Sequence, residues 1–357
     1  MRDIDVEIGA LDLDCGETLS AVVQRVTLDG VEPLPDGSNV VFAAHALTGS
    51  SRVAEWWPGI AGGSEALFDR ATWCIVGVNA LGSCYGSSFV WNDARHPERS
   101  GQSERYRGTG ACHPERSERS ERSRGTGSCH PQVRAQRASK EFPRITVRDM
   151  LRAQQRALYH LSIAKIGVVI GGSLGGMQTL QWALDAPDRI TRAIIIGAHD
   201  HHSAMGIALN AVQREAIALD TVRGVALARK IAMLTYKSEE LLNERHDRRL
   251  DRNDPTRFDV EGYLDHQGAK FVNRMDGASY AALTHAMDSF DVRDRAAPRG
   301  VDLTFVGISS DRLFRPQDVR AAADRLGARY VELTSTHGHD AFLADVSPLT
   351  RLLGVLS

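Results

Sequence analysis

A serine between glycines is the pattern in this sequence with the clearest chemical use. Ser173 lies in Gly-Gly-Ser-Leu-Gly-Gly (171–176), directly after the apolar run 166–170 and before a segment of helical periodicity. Such a turn needs small neighbours because its backbone is strained, and it places the amide of Leu174 where it could stabilise an oxyanion. The pattern predicts a nucleophilic serine. A glycine-rich turn that only packs a helix on a strand, or binds phosphate, is the alternative.

A serine nucleophile needs a general base and an acid that orients it, and the end of the chain offers both. Asp311 follows the apolar run 303–306, and His339 lies in Thr-His-Gly-His-Asp (336–340). The chain order Ser, Asp, His is that of a triad built on a strand-to-helix serine. The residues alone leave His337 open as a competing base, and Asp311 could instead be a helix cap or a surface acid.

The second donor to an oxyanion is expected in the loop that follows the early apolar run 40–45. The sequence there is Ala-Leu-Thr-Gly (46–49), and the amide of Leu47 is the candidate. Together with the amide of Leu174, it would form a two-donor site for a developing negative charge.

Short apolar runs that alternate with helical segments must position these residues. Runs rich in β-branched residues predict strands, and three- and four-residue spacing predicts helices. The predicted strands are 40–45, 73–78, 166–170, 193–196 and 303–306, and the predicted helices are 147–161 and 175–184. This alternation predicts a doubly wound, mostly parallel sheet flanked by helices.

A helical segment is predicted to interrupt this core. From 202 to 289 the strand signal disappears, and apolar residues recur at helical spacing in 222–236, 258–271 and 280–290. We expect a core of residues 1–201 and 290–357 with a helical lid inserted at 202–289. Such a lid would roof a site at the carboxyl ends of the strands.

Residues 95–140 differ from the rest of the chain because a His-Pro-Glu-Arg-Ser motif recurs there. The segment is rich in Arg, Ser, Glu and Gly and poor in large apolar residues, which predicts a disordered insertion within the core domain. Its Cys112-His113 and Cys129-His130 pairs could be offered as zinc ligands. We prefer the interpretation of an expanded repeat, because the pairs recur with the repeat.

The bulk composition excludes several classes of function. A net charge of −2 gives no general attraction to nucleic acid or to anionic membranes, and no apolar run is long enough to span a bilayer. Five scattered cysteines do not form a disulfide framework, and the acidic start does not resemble a signal peptide. We therefore expect a cytoplasmic protein that binds small molecules.

Six separated blocks of this sequence resemble the homoserine O-acetyltransferase family, whose members have the α/β-hydrolase fold. The resemblance covers nearly the whole chain outside the repeat insertion. The matching blocks are 45–49, 79–87, 142–149, 171–178, 263–268 and 338–342.

This resemblance implies a role for five residues. It implies Ser173 as nucleophile, Asp311 as orienting acid and His339 as base, in preference to the other histidine of the same loop. It assigns Arg229 to the substrate carboxylate and Asp340 to the substrate amine. A planar guanidinium binds a carboxylate through two hydrogen bonds, and an aspartate beside the base could hold an ammonium group.

The implied activity is ping-pong transfer of an acetyl group from acetyl-CoA to the hydroxyl of L-homoserine, in methionine biosynthesis. The resemblance also implies a homodimer joined through the helical insertion, with no metal and no permanently bound cofactor. Succinyl transfer, a serine acceptor and a carboxylesterase with the same triad stay open as alternatives. A non-catalytic binding protein is disfavoured by the intact set of site residues.

Overall fold

An eight-stranded sheet forms the centre of the computed structural model, which describes residues 1–88 and 142–355. Two further short strands, β4 and β5, pair only with each other. The strands are β1 (Arg2–Asp12), β2 (Thr18–Gly30), β3 (Val40–Ala44), β4 (Ala61–Gly62), β5 (Phe68–Asp69), β6 (Cys74–Val78), β7 (Ile166–Gly172), β8 (Ile190–Ile196), β9 (Asp302–Ile308) and β10 (Arg329–Leu333).

The described chain also contains eleven α-helices. They are α1 (Val53–Trp56), α2 (Val147–His160), α3 (Leu174–Asp185), α4 (Ala204–Leu219), α5 (Arg223–Tyr236), α6 (Glu239–His246), α7 (Asp259–Val272), α8 (Gly277–Asp288), α9 (Pro316–Arg325), α10 (Ala341–Ala344) and α11 (Val346–Gly354). Single 3-10 turns cover Pro187–Arg189 and Gly338–Asp340.

The strand order in the large sheet is β1-β2-β6-β3-β7-β8-β9-β10. From β6 to β10 neighbouring strands are parallel, and β1 and β2 are antiparallel additions at one edge. Every residue of β3, β6 and β7 is buried, as expected for strands covered by helices on both faces. The predicted parallel sheet flanked by helices is confirmed.

The order of the strands reverses at β3, which has β6 on one side and β7 on the other. At such a switch point the loops leave the sheet in opposite directions, and a crevice opens at the carboxyl ends of the strands. The loops after β3 and β7 carry the predicted oxyanion donor and the predicted nucleophile.

The N-terminal hairpin of β1 and β2 is absent from the predicted elements. It pairs Arg2 with Leu28 and continues to Asp12 with Thr18, with two irregularities in register. The buried residues of β1 are sparse, and bulges interrupt their alternation. A period-two pattern is therefore hard to recognise in this segment.

Between β8 and β9 the chain forms the five helices α4 to α8. Helix α5 packs against α4 on one side and α7 on the other, and α8 packs on α4. Two of these helices, α4 and α6, are not among the predicted elements. Apart from Phe142, the described residues fall within a single compact unit, and the division into core and lid stays a prediction.

The predicted repeat insertion at 95–140, with its candidate zinc ligands, lies outside the described residues. Within the described ranges, no helix is both long enough and apolar enough to cross a membrane.

Candidate active site

Ser173 lies on a strained turn between β7 and α3. Its φ of 58° and ψ of −124° belong to a region that side chains rarely adopt, and its amide donates a 2.9 Å hydrogen bond to the Ile196 carbonyl. A Cβ on Gly175 would lie 2.1 Å from the Ala44 carbonyl oxygen, and one on Gly171 would lie 2.3 Å from the Gly175 oxygen. The two glycines therefore permit the close approach of strand and helix that the turn requires.

Asp311 and His339 form a buried pair at the ends of β9 and β10. His339 Nδ1 lies 2.6 Å from Asp311 Oδ2, and both residues are less than 5% exposed. The other carboxylate oxygen accepts hydrogen bonds from the amides of Leu313 and Phe314, at 2.8 and 2.9 Å. These bonds hold the carboxylate in one orientation, so the imidazole is oriented too.

The Asp311–His339 pair lies close to the residue that follows β8, next to the backbone contact of Ser173. A Cβ on Gly197 would lie 3.4 Å from both the His339 ring and Asp311 Oδ2, and Gly197 follows Ile196, which binds the Ser173 amide. His339 Nε2 is buried and has no hydrogen-bond partner among the described residues. The structure thus brings the three predicted residues to one edge of the sheet, without a hydrogen bond between the serine and the histidine.

The environment of His339 strengthens it as a base. Burial alone lowers the pKa of an imidazole, but the charge of Asp311 and its hydrogen bond raise it, and Asp340 adds to this effect. The net result is a pKa of His339 above its ordinary value. A proton taken from a nucleophile is therefore held more firmly.

His337, the competing base, lies in a separate pair. Its Nδ1 is 2.9 Å from Asp345 Oδ2, its Nε2 is 3.4 Å from an Arg245 nitrogen, and its side chain is 24% exposed. The structure therefore brings His339, and not His337, to Asp311.

The two candidate oxyanion donors flank the serine turn. Leu174 is the first residue of α3, where amides precede the hydrogen bonds of the helix, and Leu47 lies in the loop after β3. His45 holds that loop: its Nε2 accepts from the Ala80 amide at 2.8 Å, and its Nδ1 donates to the Ala46 carbonyl at 2.7 Å. Burial lowers the pKa of His45 to about 4, so its ring stays neutral and can accept this bond.

Arg229 extends from α5 between two aromatic rings. Its guanidinium carbon lies 5.5 Å from the centre of the Tyr236 ring and 5.1 Å from that of Phe271. It forms no ion pair with another described residue, so its charge is available to a ligand. The Tyr236 ring lies 5.8 Å from the His339 ring and therefore connects Arg229 to the predicted base.

Sequence reasoning missed Tyr236 and His45 as site residues. Tyr236 follows Arg229 by two helical turns, so the spacing places both on the same face of α5. That spacing is the signal that could have found it. His45 is the last residue of an apolar run, and its two backbone contacts depend on the folded loop.

Asp340, the predicted ligand of the substrate amine, is paired in this structure with a lysine. Lys237 Nζ lies 2.9 Å from Asp340 Oδ2, and both side chains are mostly buried. The other carboxylate oxygen of Asp340 forms no hydrogen bond or ion pair with a described residue. A substrate ammonium would therefore share this carboxylate with Lys237.

Comparisons with known proteins identify the fold and a set of relatives. A sequence profile of the alpha/beta hydrolase fold matches residues 39–346. The homoserine O-acetyltransferase of Acidiphilium cryptum is 35% identical to this chain, covering 94% of it and 89% of that protein. The homoserine O-acetyltransferase of Methanocorpusculum labreanum is 33% identical, covering 96% of this chain and 70% of that protein.

Two solved structures show the same architecture. The crystal structure of homoserine O-acetyltransferase from Staphylococcus aureus aligns with a TM-score of 0.74 and 25% identity, covering 99% of this chain and 94% of that chain. Esterase E22 aligns with a TM-score of 0.77 and 18% identity, covering 98% of each chain. At that identity the likeness to the esterase shows the fold alone. The predicted α/β-hydrolase fold is confirmed.

Proposed function

Because this chain belongs to the homoserine O-acetyltransferase family, we propose that it transfers an acetyl group from acetyl-CoA to the hydroxyl of L-homoserine, a step of methionine biosynthesis. The observation that carries the proposal is the buried Asp311–His339 pair beside the strained turn of Ser173. This combination supports a covalent acyl-serine mechanism.

In the first half of the proposed reaction, His339 Nε2 removes the proton of the Ser173 hydroxyl, and the serine oxygen attacks the thioester carbonyl carbon. The amides of Leu47 and Leu174 donate to the oxyanion of the tetrahedral intermediate. The intermediate collapses with loss of the coenzyme A thiolate, which takes the proton from His339. The enzyme is left with an ester on Ser173.

In the second half, the acceptor hydroxyl gives its proton to His339 and attacks the acyl-serine carbonyl. The same two amides stabilise the second oxyanion. The C–O bond to Ser173 then breaks, and the serine oxygen recovers the proton from His339. The raised pKa of His339 suits it to receive the proton in each half.

We propose that Arg229 and Asp340 orient the amino-acid acceptor. The guanidinium of Arg229 has no ion-pair partner among the described residues, which supports a role in binding a carboxylate. Asp340 adjoins the base, and its oxygen not bonded to Lys237 could accept from an ammonium group.

Replacing Arg229 with lysine would remove the two-hydrogen-bond contact and is expected to raise KM for the acceptor by about 10- to 100-fold.

One observation favours a second candidate function, a carboxylesterase that uses the same triad. Lys237 neutralises the carboxylate of Asp340, so the amine position is already served by a protein ammonium. If that pair persists during turnover, water could take the place of the acceptor.

The test is release of coenzyme A from acetyl- and succinyl-CoA with L-homoserine, L-serine or no acceptor. We expect release that depends on acetyl-CoA and L-homoserine and is lost in Ser173→Ala. Ser162→Ala is the matched control, because Ser162 also has a positive φ and lies away from the site. Release indifferent to the acceptor would instead establish the esterase, and release that survives Ser173→Ala would exclude both functions.

We also propose a cytoplasmic homodimer that needs no metal and no permanently bound cofactor for acyl transfer. Cys15 and Cys74, both within the described ranges, are free thiols, which supports a reducing compartment. Exposed apolar side chains on α4 and α5 support the dimer.

A further inference from the structure

Three consecutive residues after β8 gather side chains that ligate metals. One ligand atom from each of His199, Asp200 and His201 can be chosen so that all three lie within 4.8 Å of one another. His199 and Asp200 are buried, and His201 is partly exposed. The acyl-transfer mechanism uses none of them.

His199 is the observation that points to a ligand. It is 1% exposed, and neither of its ring nitrogens has a hydrogen-bond partner among the described residues. A buried polar group without a partner is destabilising by about 1–3 kcal/mol, so folded proteins rarely leave one unsatisfied. Both ring nitrogens of His199 are therefore open to a further ligand.

Asp200 directs one carboxylate oxygen between the two imidazoles. Its Oδ1 lies 2.9 Å from His201 Nδ1 and 3.7 Å from His199 Nδ1. Its Oδ2 lies 2.7 Å from Arg325 Nε. An arginine in this position orients the carboxylate as an outer partner does in metal sites, although its positive charge opposes a bound cation.

Two of the three distances between ligand atoms are close to those around a small divalent ion, and the third is no more than 4.8 Å. Bonds of about 2.1 Å in tetrahedral geometry place zinc ligands about 3.4 Å apart. The distances of 2.9 and 3.7 Å from Asp200 Oδ1 lie on either side of that value. Imidazole nitrogen together with one carboxylate oxygen is a donor set that suits zinc and neighbouring transition metals.

The backbone of this segment is held on both sides, which would keep the ligands in place. The Val292 amide donates to the Asp200 carbonyl at 2.8 Å, and the His202 amide donates to the Phe290 carbonyl at 2.9 Å. Arg325 also donates to the Val292 carbonyl. The ligand segment and the chain entering β9 are thereby fixed to each other.

We propose that His199, Asp200 and His201 bind a divalent transition-metal ion of the zinc class, with a water molecule completing the coordination on the partly exposed side of His201. The site is separate from acyl transfer, because the Phe314 ring lies between His199 and His339, 5.5 and 5.2 Å from their centres. The ion stabilises the packing behind the catalytic imidazole. This inference does not depend on the proposed function.

The first test is titration with Co²⁺, followed by its visible absorption, and with Zn²⁺ by calorimetry. The parent for all titrations carries Cys112→Ser and Cys129→Ser, because those thiols belong to the repeat insertion. We expect one equivalent bound by this parent and none by the same chain with His201→Gln. The matched control is His160→Gln, which removes an exposed histidine on α2 and should leave binding unchanged.

A second readout separates lost binding from lost folding. Zn²⁺ should raise the Tm of the parent and of His160→Gln and leave that of His201→Gln unchanged, while circular dichroism shows that all three are folded. His201 is the tested ligand because it is partly exposed, so its replacement perturbs the core less than replacement of His199. The proposal is overturned if the parent binds no ion, if His201→Gln binds as the parent does, or if the ion proves to occupy surface histidines only.

Discussion

Two histidines two residues apart, each with an aspartate partner, show how the surroundings of a single residue assign its role. His339 pairs with Asp311 inside the protein, and His337 pairs with Asp345 at the surface. The chemical groups are the same in the two pairs. Only the buried pair lies beside the serine turn, and only there does the low dielectric strengthen the interaction of the aspartate with an imidazolium.

Replacing each histidine with glutamine distinguishes the two residues. We expect His339→Gln to lower kcat/KM for coenzyme A release by about 10²- to 10⁴-fold, the range for loss of a general base. The kcat/KM of His337→Gln should stay within about threefold of that of the unsubstituted protein, because the His337 ring lies in a separate ion pair. The reverse ranking in the same assay would transfer the role of base to His337.

The pH dependence of turnover should reflect the charge of Asp311. A base works only as neutral imidazole, so activity falls as the pH drops through the pKa of His339, and the raised pKa places that fall above the ordinary value. In Asp311→Asn the largest contribution that raises the pKa of His339 is lost, and the fall in residual kcat/KM should move to lower pH. If the pH at half-maximal kcat/KM is unchanged or higher in Asp311→Asn, the charge of Asp311 does not raise the pKa of the base.

At the scale of elements, the site depends on how closely α3 approaches β3. The backbone of Gly175 lies so near the Ala44 carbonyl that any side chain would collide with it. The same approach places the amide of Leu174 opposite the loop that carries Leu47. The strand, the turn and the helix therefore act as one unit in forming the predicted oxyanion site.

Gly175→Ala should destabilise this strand, turn and helix. The added Cβ would meet backbone that cannot move freely, so we expect a loss of about 1–3 kcal/mol in the free energy of unfolding and a lower kcat. Gly63→Ala is the matched control, because a Cβ there meets nothing within 4 Å and its φ is not in the left-handed region. Urea denaturation of both variants measures the difference, and equal stability would show that the turn can relax.

The loop after β3 makes stability sensitive to acid through His45. The folded protein holds His45 neutral down to a pKa of about 4, while the unfolded chain protonates near the ordinary value of 6.5. Between these values the unfolded state binds more protons, so the free energy of unfolding falls as the pH is lowered. Between pH 6.5 and pH 4, protonation of His45 in the unfolded chain lowers the free energy of unfolding by on the order of 3 kcal/mol.

Urea denaturation at several pH values between 7.5 and 4 measures this loss. His45→Gln should be less stable at neutral pH and show a shallower decline toward acid, because the titrating ring is gone. His160→Gln, which removes an exposed histidine, is the control and should keep the slope of the parent. If the free energy of unfolding of His45→Gln declines toward acid as steeply as that of the unsubstituted protein, other groups cause the acid sensitivity.

For the whole molecule, the helical segment between β8 and β9 presents an apolar face that the described chain leaves exposed. Spacing of seven residues places its members on one face of each of two helices that pack together. The exposed residues are Met205, Val212 and Leu219 on α4, and Leu227 and Leu234 on α5. Exposed apolar patches of this kind mark association surfaces, and the predicted homodimer would cover this apolar face.

Leu227→Glu should therefore dissociate the dimer. A charge buried at an apolar interface without a partner is strongly unfavourable, so light scattering at micromolar concentration should show a monomer. Val355→Glu is the control, because Val355 is 85% exposed and lies outside these two helices. The predicted interface would be contradicted if the unsubstituted protein is already monomeric or if Leu227→Glu stays dimeric.

The sequence by itself determined the parallel sheet, the nucleophile turn and the candidates for the triad. These features depend on local signals: apolar runs form strands, glycines permit a strained turn, and Ser173, Asp311 and His339 follow strand ends in the expected order. The two-stranded N-terminal hairpin escaped prediction because bulges interrupt its alternation. Residues 89–141 lie outside what the structure describes, so the predicted insertion stays a prediction.

Only the tertiary structure decided which groups meet. Burial separates His339 from His337, although the two lie in one short loop, and Lys237 reaches Asp340 across more than one hundred positions of sequence. The lack of hydrogen bonds at the ring nitrogens of the buried His199 is equally invisible in the sequence. Distance, burial and hydrogen bonding are properties of packed elements, and packing joins residues whose separation along the chain carries no signal.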